Sequence, residues 1–169
     1  MIKIDIVTKD EYVFDFNIKN LSKKVACEIF NEKNLMYDFS IGLYIVSKEK
    51  IRSLNKKLRN VDKITDVLSF PNINFSKPCD FKKYIKKNII DVSIIDFNTN
   101  TIFLGDVVIC YDVLIMQSKK YIHSIKREFS FLFTHSILHL LGYDHIKKSD
   151  EDKMFKLQDL ILDRLNIVR

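Results

Sequence analysis

Phe129-Ser130-Phe131-Leu132-Phe133-Thr134-His135-Ser136-Ile137-Leu138-His139-Leu140-Leu141-Gly142-Tyr143-Asp144-His145 is the stretch on which the reading of this chain turns. Between Phe129 and Leu141 the large apolar residues cover nearly every face of a helix. A helix that is apolar all round belongs in the middle of a fold, because no face of it can be left in water. The periodicity predicts that this helix runs from about 124 to 141.

Three of the chain's four histidines fall within this stretch. His135 and His139 are four residues apart, so they share one helical face about a turn apart. Gly142 can adopt the left-handed conformation that ends a helix. The chain then reverses, which lets His145 swing back toward the other two. Three imidazoles on one side of a metal, with a fourth position left for water, is the layout of a catalytic zinc site. Three separately satisfied histidines would be the plainer reading, but the spacing and the glycine stop favour ligands. His123 shares no obvious face with them and reads as a non-ligand. In helical zinc proteases the residue after the first histidine is a glutamate that serves as general base. Here it is Ser136, whose hydroxyl has no useful basicity near neutral pH. Peptide hydrolysis is therefore disfavoured.

Upstream of this helix, strand and helix patterns mix without strict alternation. Ile2/Ile4/Ile6 and Tyr12/Phe14/Phe16 alternate on either side of Thr8-Lys9-Asp10 and predict a hairpin or two successive strands. A helix is expected over 19–34, a strand over 41–45 and a helix over 48–58. Thr65–Pro71 reads as a short strand stopped by proline. Residues 72–90 read as an excursion. Ile89–Phe97 and Thr101–Leu104 are expected to pair as a hairpin, and the apolar run Gly105–Cys110 reads as a buried strand. Further helices are expected over 111–122 and 149–166. This pattern gives an α+β class, a sheet with helices around a buried central helix.

The chain has 169 residues, 47% hydrophobic and 30% charged, with 3 Gly and 2 Pro. It reads as one globular domain, residues 1–169, able to bury a core without disulfides. No apolar run approaches membrane-spanning length, which excludes a transmembrane protein, and no membrane partner is expected. The opening Met1–Ile6 alternates like a strand and carries Asp5, unlike a secretory leader, so a cytoplasmic location is expected. Cys27, Cys79 and Cys110 fit no disulfide framework and read as reduced thiols. The net charge is +6. Much of it lies between Lys48 and Lys63, where Lys48, Lys50, Arg52, Lys56, Lys57, Arg59 and Lys63 face only Glu49 and Asp62. A basic segment of this kind points weakly to nucleic acid. A second cluster, Lys82, Lys83, Lys86 and Lys87, reads as a solvated face.

His135–His145 closely resembles the His-Gly-x-Leu-His-Leu-x-Gly-Tyr-Asp-His signature of the YbeY family, bacterial metal-dependent endoribonucleases of rRNA maturation. Two further blocks resemble the family in the same order. One is Leu54-Asn55 through Arg59, followed by Thr65–Pro71. The other is Leu104-Gly105-Asp106-Val107-Val108-Ile109. Together they cover the chain from about residue 50 to its end. Ser136 stands where the family usually has glycine, and the stretch from Pro71 to Leu104 looks longer than usual.

The resemblance implies a zincin-like fold, a small mixed sheet packed with helices around the metal-bearing helix. It implies one zinc ion held by His135, His139 and His145, and no small-molecule cofactor. The implied activity is single-strand-specific hydrolysis of RNA, in 3′-end maturation of small-subunit rRNA and in ribosome quality control. The implied partners are single-stranded rRNA and the ribosomal small subunit. Arg59 falls at the family's functionally important arginine. It is the candidate to clamp phosphate, with Lys56 and Lys57 as further substrate contacts. Asp144 is a candidate to orient an imidazole or handle a proton, or equally a residue that caps the turn. Asp66 and Asp106, at the expected strand ends, could line the cleft or satisfy turn donors. Glu128 reads as a first-turn acid favoured by the helix dipole. The competing reading is a non-catalytic, zinc-containing ribosome-assembly factor.

Overall fold

The computed structural model describes residues 1–9, 11–86 and 89–167. Asp10 of the expected N-terminal turn and Lys87 of the second basic cluster lie outside the described residues. The elements run β1 (Ile2–Val7), α1 (Ile18–Glu32), β2 (Phe39–Val46), α2 (Lys48–Arg59), β3 (Val67–Pro71), β4 (Ile85–Lys86), β5 (Ile89–Ile90), β6 (Ile95–Asp96), β7 (Thr101–Cys110), α3 (Tyr111–Lys120), α4 (Ile125–Leu140) and α5 (Lys148–Arg164). Side-chain caps set several helix starts. Asn17, Ser47 and Ser124 accept from the backbone N–H of Asn20, Lys50 and Arg127, satisfying donors that the helix itself leaves unpaired.

The main sheet is mixed, in the order β1-β2-β7-β3. β1, β2 and β7 are parallel, and β3 runs antiparallel to β7. β6 pairs antiparallel with Thr101 and Ile102, beyond the reach of β3 along the same strand. β2 and β7 are buried on both faces, which is why each reads as a nearly unbroken apolar run. Between Ser40 and Ile41 the β2–β7 register skips Leu104, a β-bulge. Gly105 takes φ 133° there, and a Cβ at that position would stand 2.2 Å from the Phe70 carbonyl oxygen. Only glycine fits that approach.

α4 is the centre of the fold, packed against β3, β7, α1, α3 and α5. Phe129, Phe133, Ile137, Leu138 and Leu140 are all fully buried in the larger core. A second, smaller core of Ile51, Leu68, Val108, Cys110 and Val113 forms where α2 and α3 meet the sheet. The expected α+β arrangement around a central helix is what the structure contains.

Three local expectations are corrected. Tyr12, Phe14 and Phe16 form no strand. Their alternation serves packing: Tyr12 stacks on Tyr111 at 4.5 Å, and Phe16 lies 5.5 Å from Phe129. β1 takes β2 as its parallel partner, so no N-terminal hairpin forms. The hairpin about Asn98-Thr99-Asn100 is short, because only Ile95 and Asp96 pair with β7. Ile89 and Ile90 pair instead with Lys86 and Ile85, and Val92–Ile94 is a 3-10 turn. Finally, Thr101–Cys110 is one continuous strand. Asp106 therefore sits in mid-strand against Gly42 rather than at a strand end.

Candidate metal centre and its cleft

The C-terminal end of α4 builds the site. Gly142 takes φ 85°, and the helix ends with the Gly142 N–H donating to the His139 carbonyl and the Tyr143 N–H to the Leu138 carbonyl. This is the Schellman pattern that a left-handed residue just past a helix makes possible. It turns the chain so that His145 returns toward the helix. One ligand atom from each of His135, His139 and His145 then lies within 4.8 Å of the others.

The hydrogen bonds of the rings say which atoms face inward. His139 Nδ1 lies 3.0 Å from the Tyr143 carbonyl oxygen, which can only accept, so Nδ1 carries the proton. His135 Nδ1 lies 3.2 Å from Oε1 of Gln158. Both rings thus spend Nδ1–H on outward acceptors and turn Nε2 toward each other, 3.0 Å apart. Burial pushes the His135 imidazole down to about 4, with His139 beside it adding to the effect. Burial lowers His139 as well. Two neutral rings with facing lone pairs repel one another unless a cation lies between them. Neutral imidazoles are also what a metal requires. A separation of about 3 Å is near that expected of two imidazoles on one small divalent ion. These residues fit a metal.

The histidines form one wall of a cleft of ≈ 720 Å³, also lined by Arg59, Asp66, Ser69, Asn72, Phe75 and Asp144. Arg59 is the last residue of α2, before Asn60 takes a left-handed φ of 57°. Its Nη2 donates to the Ser69 carbonyl at 2.7 Å, and its guanidinium lies 5.6 Å from the centre of the Phe70 ring. A residue 76 positions before the first histidine is thereby fixed in the histidines' own cleft. Lys56 and Lys57 do not line it. Lys56 bonds Asp62, which also holds Arg52.

Asp144 lines the cleft, and its Oδ1 accepts from the His145 N–H at 2.7 Å. It therefore shapes the turn that carries the third histidine, as a capping residue would. Asp66 also lines the cleft, with Oδ1 accepting from the Val67 N–H and Oδ2 from Gln117 Nε2. Asp106 does not line it. His123 is not part of the three-histidine cluster: its Nε2 lies 2.9 Å from Oε2 of Glu128. Glu128 does lie in the first turn of α4, as expected, and at 3% exposed it is also the buried partner of His123.

Sequence reasoning missed Gln158 and the Tyr143 carbonyl. A signal for Gln158 did exist. It stands on the α5 face formed by Met154, Leu157, Ile161 and Leu162, where a polar side chain needs a partner.

Three imidazoles converging at the wall of an open cleft, with a guanidinium in the same cleft, are the donor set of a metal-dependent hydrolase. The comparisons say which kind. The family model described as Endoribonuclease YbeY matches residues 3–166. Endoribonuclease YbeY of Clostridium botulinum (strain Eklund 17B / Type B) is 39% identical over 169 residues, covering 100% of both chains. Endoribonuclease YbeY of Lachnoclostridium phytofermentans is 36% identical over 166 residues, covering 98% of this chain and 99% of that protein. The solution structure of TM1509 from Thermotoga maritima has the same fold, with a TM-score of 0.54 at 20% identity, over 98% of this chain and 92% of that one. The chain belongs to the YbeY family of endoribonucleases, metal-dependent RNA hydrolases.

Proposed function

We propose that this protein is a single-strand-specific, zinc-dependent endoribonuclease. It would act in the cytoplasm, in 3′-end maturation of small-subunit rRNA and in ribosome quality control, with the ribosomal small subunit as its partner. The observation that carries the reading is the 3.0 Å approach of two Nε2 atoms whose Nδ1 atoms are both engaged elsewhere. An all-imidazole donor set suits zinc and other borderline transition metals, and not magnesium or calcium. Among the described residues no helix is long and apolar enough to cross a membrane, which agrees with a partner in the aqueous phase.

Zinc, when bound, supplies a Lewis acid for a phosphoryl oxygen and lowers the pKa of its water toward about 7. The protein's own groups do the rest. His135 and His139 are kept neutral by burial and aimed by their Nδ1 acceptors. Arg59 offers a planar fork to the scissile phosphate and stabilises the charge that gathers on it in the transition state. The Ser69 carbonyl takes one of its donors and fixes its direction. Asp144 holds the His145 backbone, and its exposed carboxylate is the candidate acceptor for a proton released in the cleft. Lys56 and Lys57, outside the cleft wall, would meet phosphates flanking the scissile one. Single strands are favoured because unstacked nucleotides can be splayed into a cleft that a duplex cannot enter.

The test is incubation of zinc-loaded and chelated protein with single-stranded and duplex fragments of small-subunit rRNA, with products mapped. Zinc-dependent cuts in single strands near the 3′ end support the proposal. RNA binding with no cuts under any metal condition would favour the assembly-factor reading.

A further inference from the structure

The mechanism asks the two helical imidazoles to present Nε2 lone pairs. For His139 the tautomer follows from a backbone carbonyl delivered by the Gly142 turn. Among the described residues no backbone group plays this role for His135. The group at its Nδ1 is Oε1 of Gln158, 3.2 Å away and 23 positions further along the chain. Gln158 is 1% exposed, and its Nε2 has no hydrogen-bond partner among the described residues. A buried amide that leaves one end unpaired is costly to keep. Here the paired end is the one that faces the ligand imidazole.

We infer that Gln158 is a positioning residue for the metal centre. Its carbonyl holds the proton of His135 on Nδ1, so that Nε2 faces His139 as a lone pair. This rests on the reading of the three histidines as a zinc site.

The surroundings support it. α5 is anchored by the buried Met154, Leu157, Ile161 and Leu162, so Gln158 arrives on a rigid element. Arg164, six positions further along α5, is clamped to Glu28 and Glu32 of α1 at 3.2 and 2.7 Å. The His135 ring is stacked against Phe131 and Phe155, each with ring centres 6.4 Å away, which restrains its tilt. An acceptor on the far nitrogen of a ligand histidine fixes the ring and raises its basicity, and losing such a partner typically costs about 10–100-fold in metal affinity.

The experiment compares wild type, Gln158→Met and Gln158→Glu. Methionine keeps much of the volume and removes the acceptor. An ionised glutamate can only accept. Zinc affinity is read by competition with a chelator, ligand-field geometry from the visible spectrum of the cobalt-substituted protein, and folding from thermal unfolding of the metal-free forms. The expected result is a zinc affinity about 10–100-fold weaker in Gln158→Met, with an altered cobalt spectrum. Its metal-free unfolding temperature should be unchanged or higher, because the unpaired amide end is gone. Gln158→Glu should retain wild-type affinity and spectrum. Equal affinity and spectrum in Gln158→Met and wild type would overturn the inference while leaving the zinc site standing. So would a loss in Gln158→Met matched by an equal fall in metal-free stability, which marks a merely structural residue. A wild type that binds no zinc would overturn the inference together with the reading on which it rests.

Discussion

Arg59 Nη2 and the Ser69 carbonyl oxygen are 2.7 Å apart, and through that bond the end of α2 is fastened to β3 beside the histidines. The bond uses one donor of a guanidinium that has five. The remaining edge is available to phosphate in a direction that the protein has already set. This is what separates Arg59 from the other cations of its segment, for Lys56 is held by Asp62 and Lys57 does not line the cleft.

Arg59→Ala should therefore leave zinc content nearly intact and depress RNA cleavage strongly. Losing one transition-state donor typically costs about 2.7–4 kcal/mol, a factor of roughly 10²–10³ in rate. Arg59→Lys should rescue only in part, since a point charge cannot reproduce the fork. Lys57→Ala, measured in the same cleavage assay, should change the rate far less. Equal losses in the alanine variants would reduce Arg59 to a general electrostatic contact.

Gly142 is where the fold and the site share one backbone position. Its φ of 85° is unfavourable for any side chain, and a Cβ would stand 2.7 Å from the Cβ of Phe75. Gly142→Ala should lower stability by roughly 1–3 kcal/mol, measured by urea unfolding of the metal-free protein. It should also weaken zinc binding, because the turn places both the Tyr143 carbonyl and His145.

Much of this is legible in the sequence alone. The α4 helix announces itself through an apolar surface with no polar side, and the histidine spacing follows from helical geometry and one glycine. What was hidden depends on partners far away in the chain. Tyr12, Phe14 and Phe16 alternate like a strand, yet their rings pack on Tyr111 and Phe129, which local periodicity cannot reveal. Gln158 reaches His135 from another helix. Arg59 was noticed through a resemblance, and its distinction from Lys56 lies in bonds to Ser69 and Asp62 that no spacing rule supplies.

Asp106 yields a prediction about pH. Burial in mid-strand raises its carboxyl above the usual range, and its charge in turn is the largest influence raising the neighbouring Tyr44. A raised carboxyl means that the folded state holds the proton more tightly than the unfolded chain. Its favourable contribution is full below the unfolded value, about 3.9, and is lost as pH rises through the folded value. At pH 7 the charged group therefore costs stability. Asp106→Asn should unfold at an equal or higher temperature than wild type at pH 7, and the advantage should vanish as pH falls below about 4. A variant less stable than wild type at pH 7 would show that the carboxylate is favourably paired.

The central claim is that His135, His139 and His145 hold one metal ion. Elemental analysis of purified wild type, His139→Ala and His123→Ala tests it most directly. About one zinc per chain is expected in wild type and in His123→Ala, with most of it lost from His139→Ala while the fold is retained. Equal zinc in wild type and His139→Ala would contradict the account.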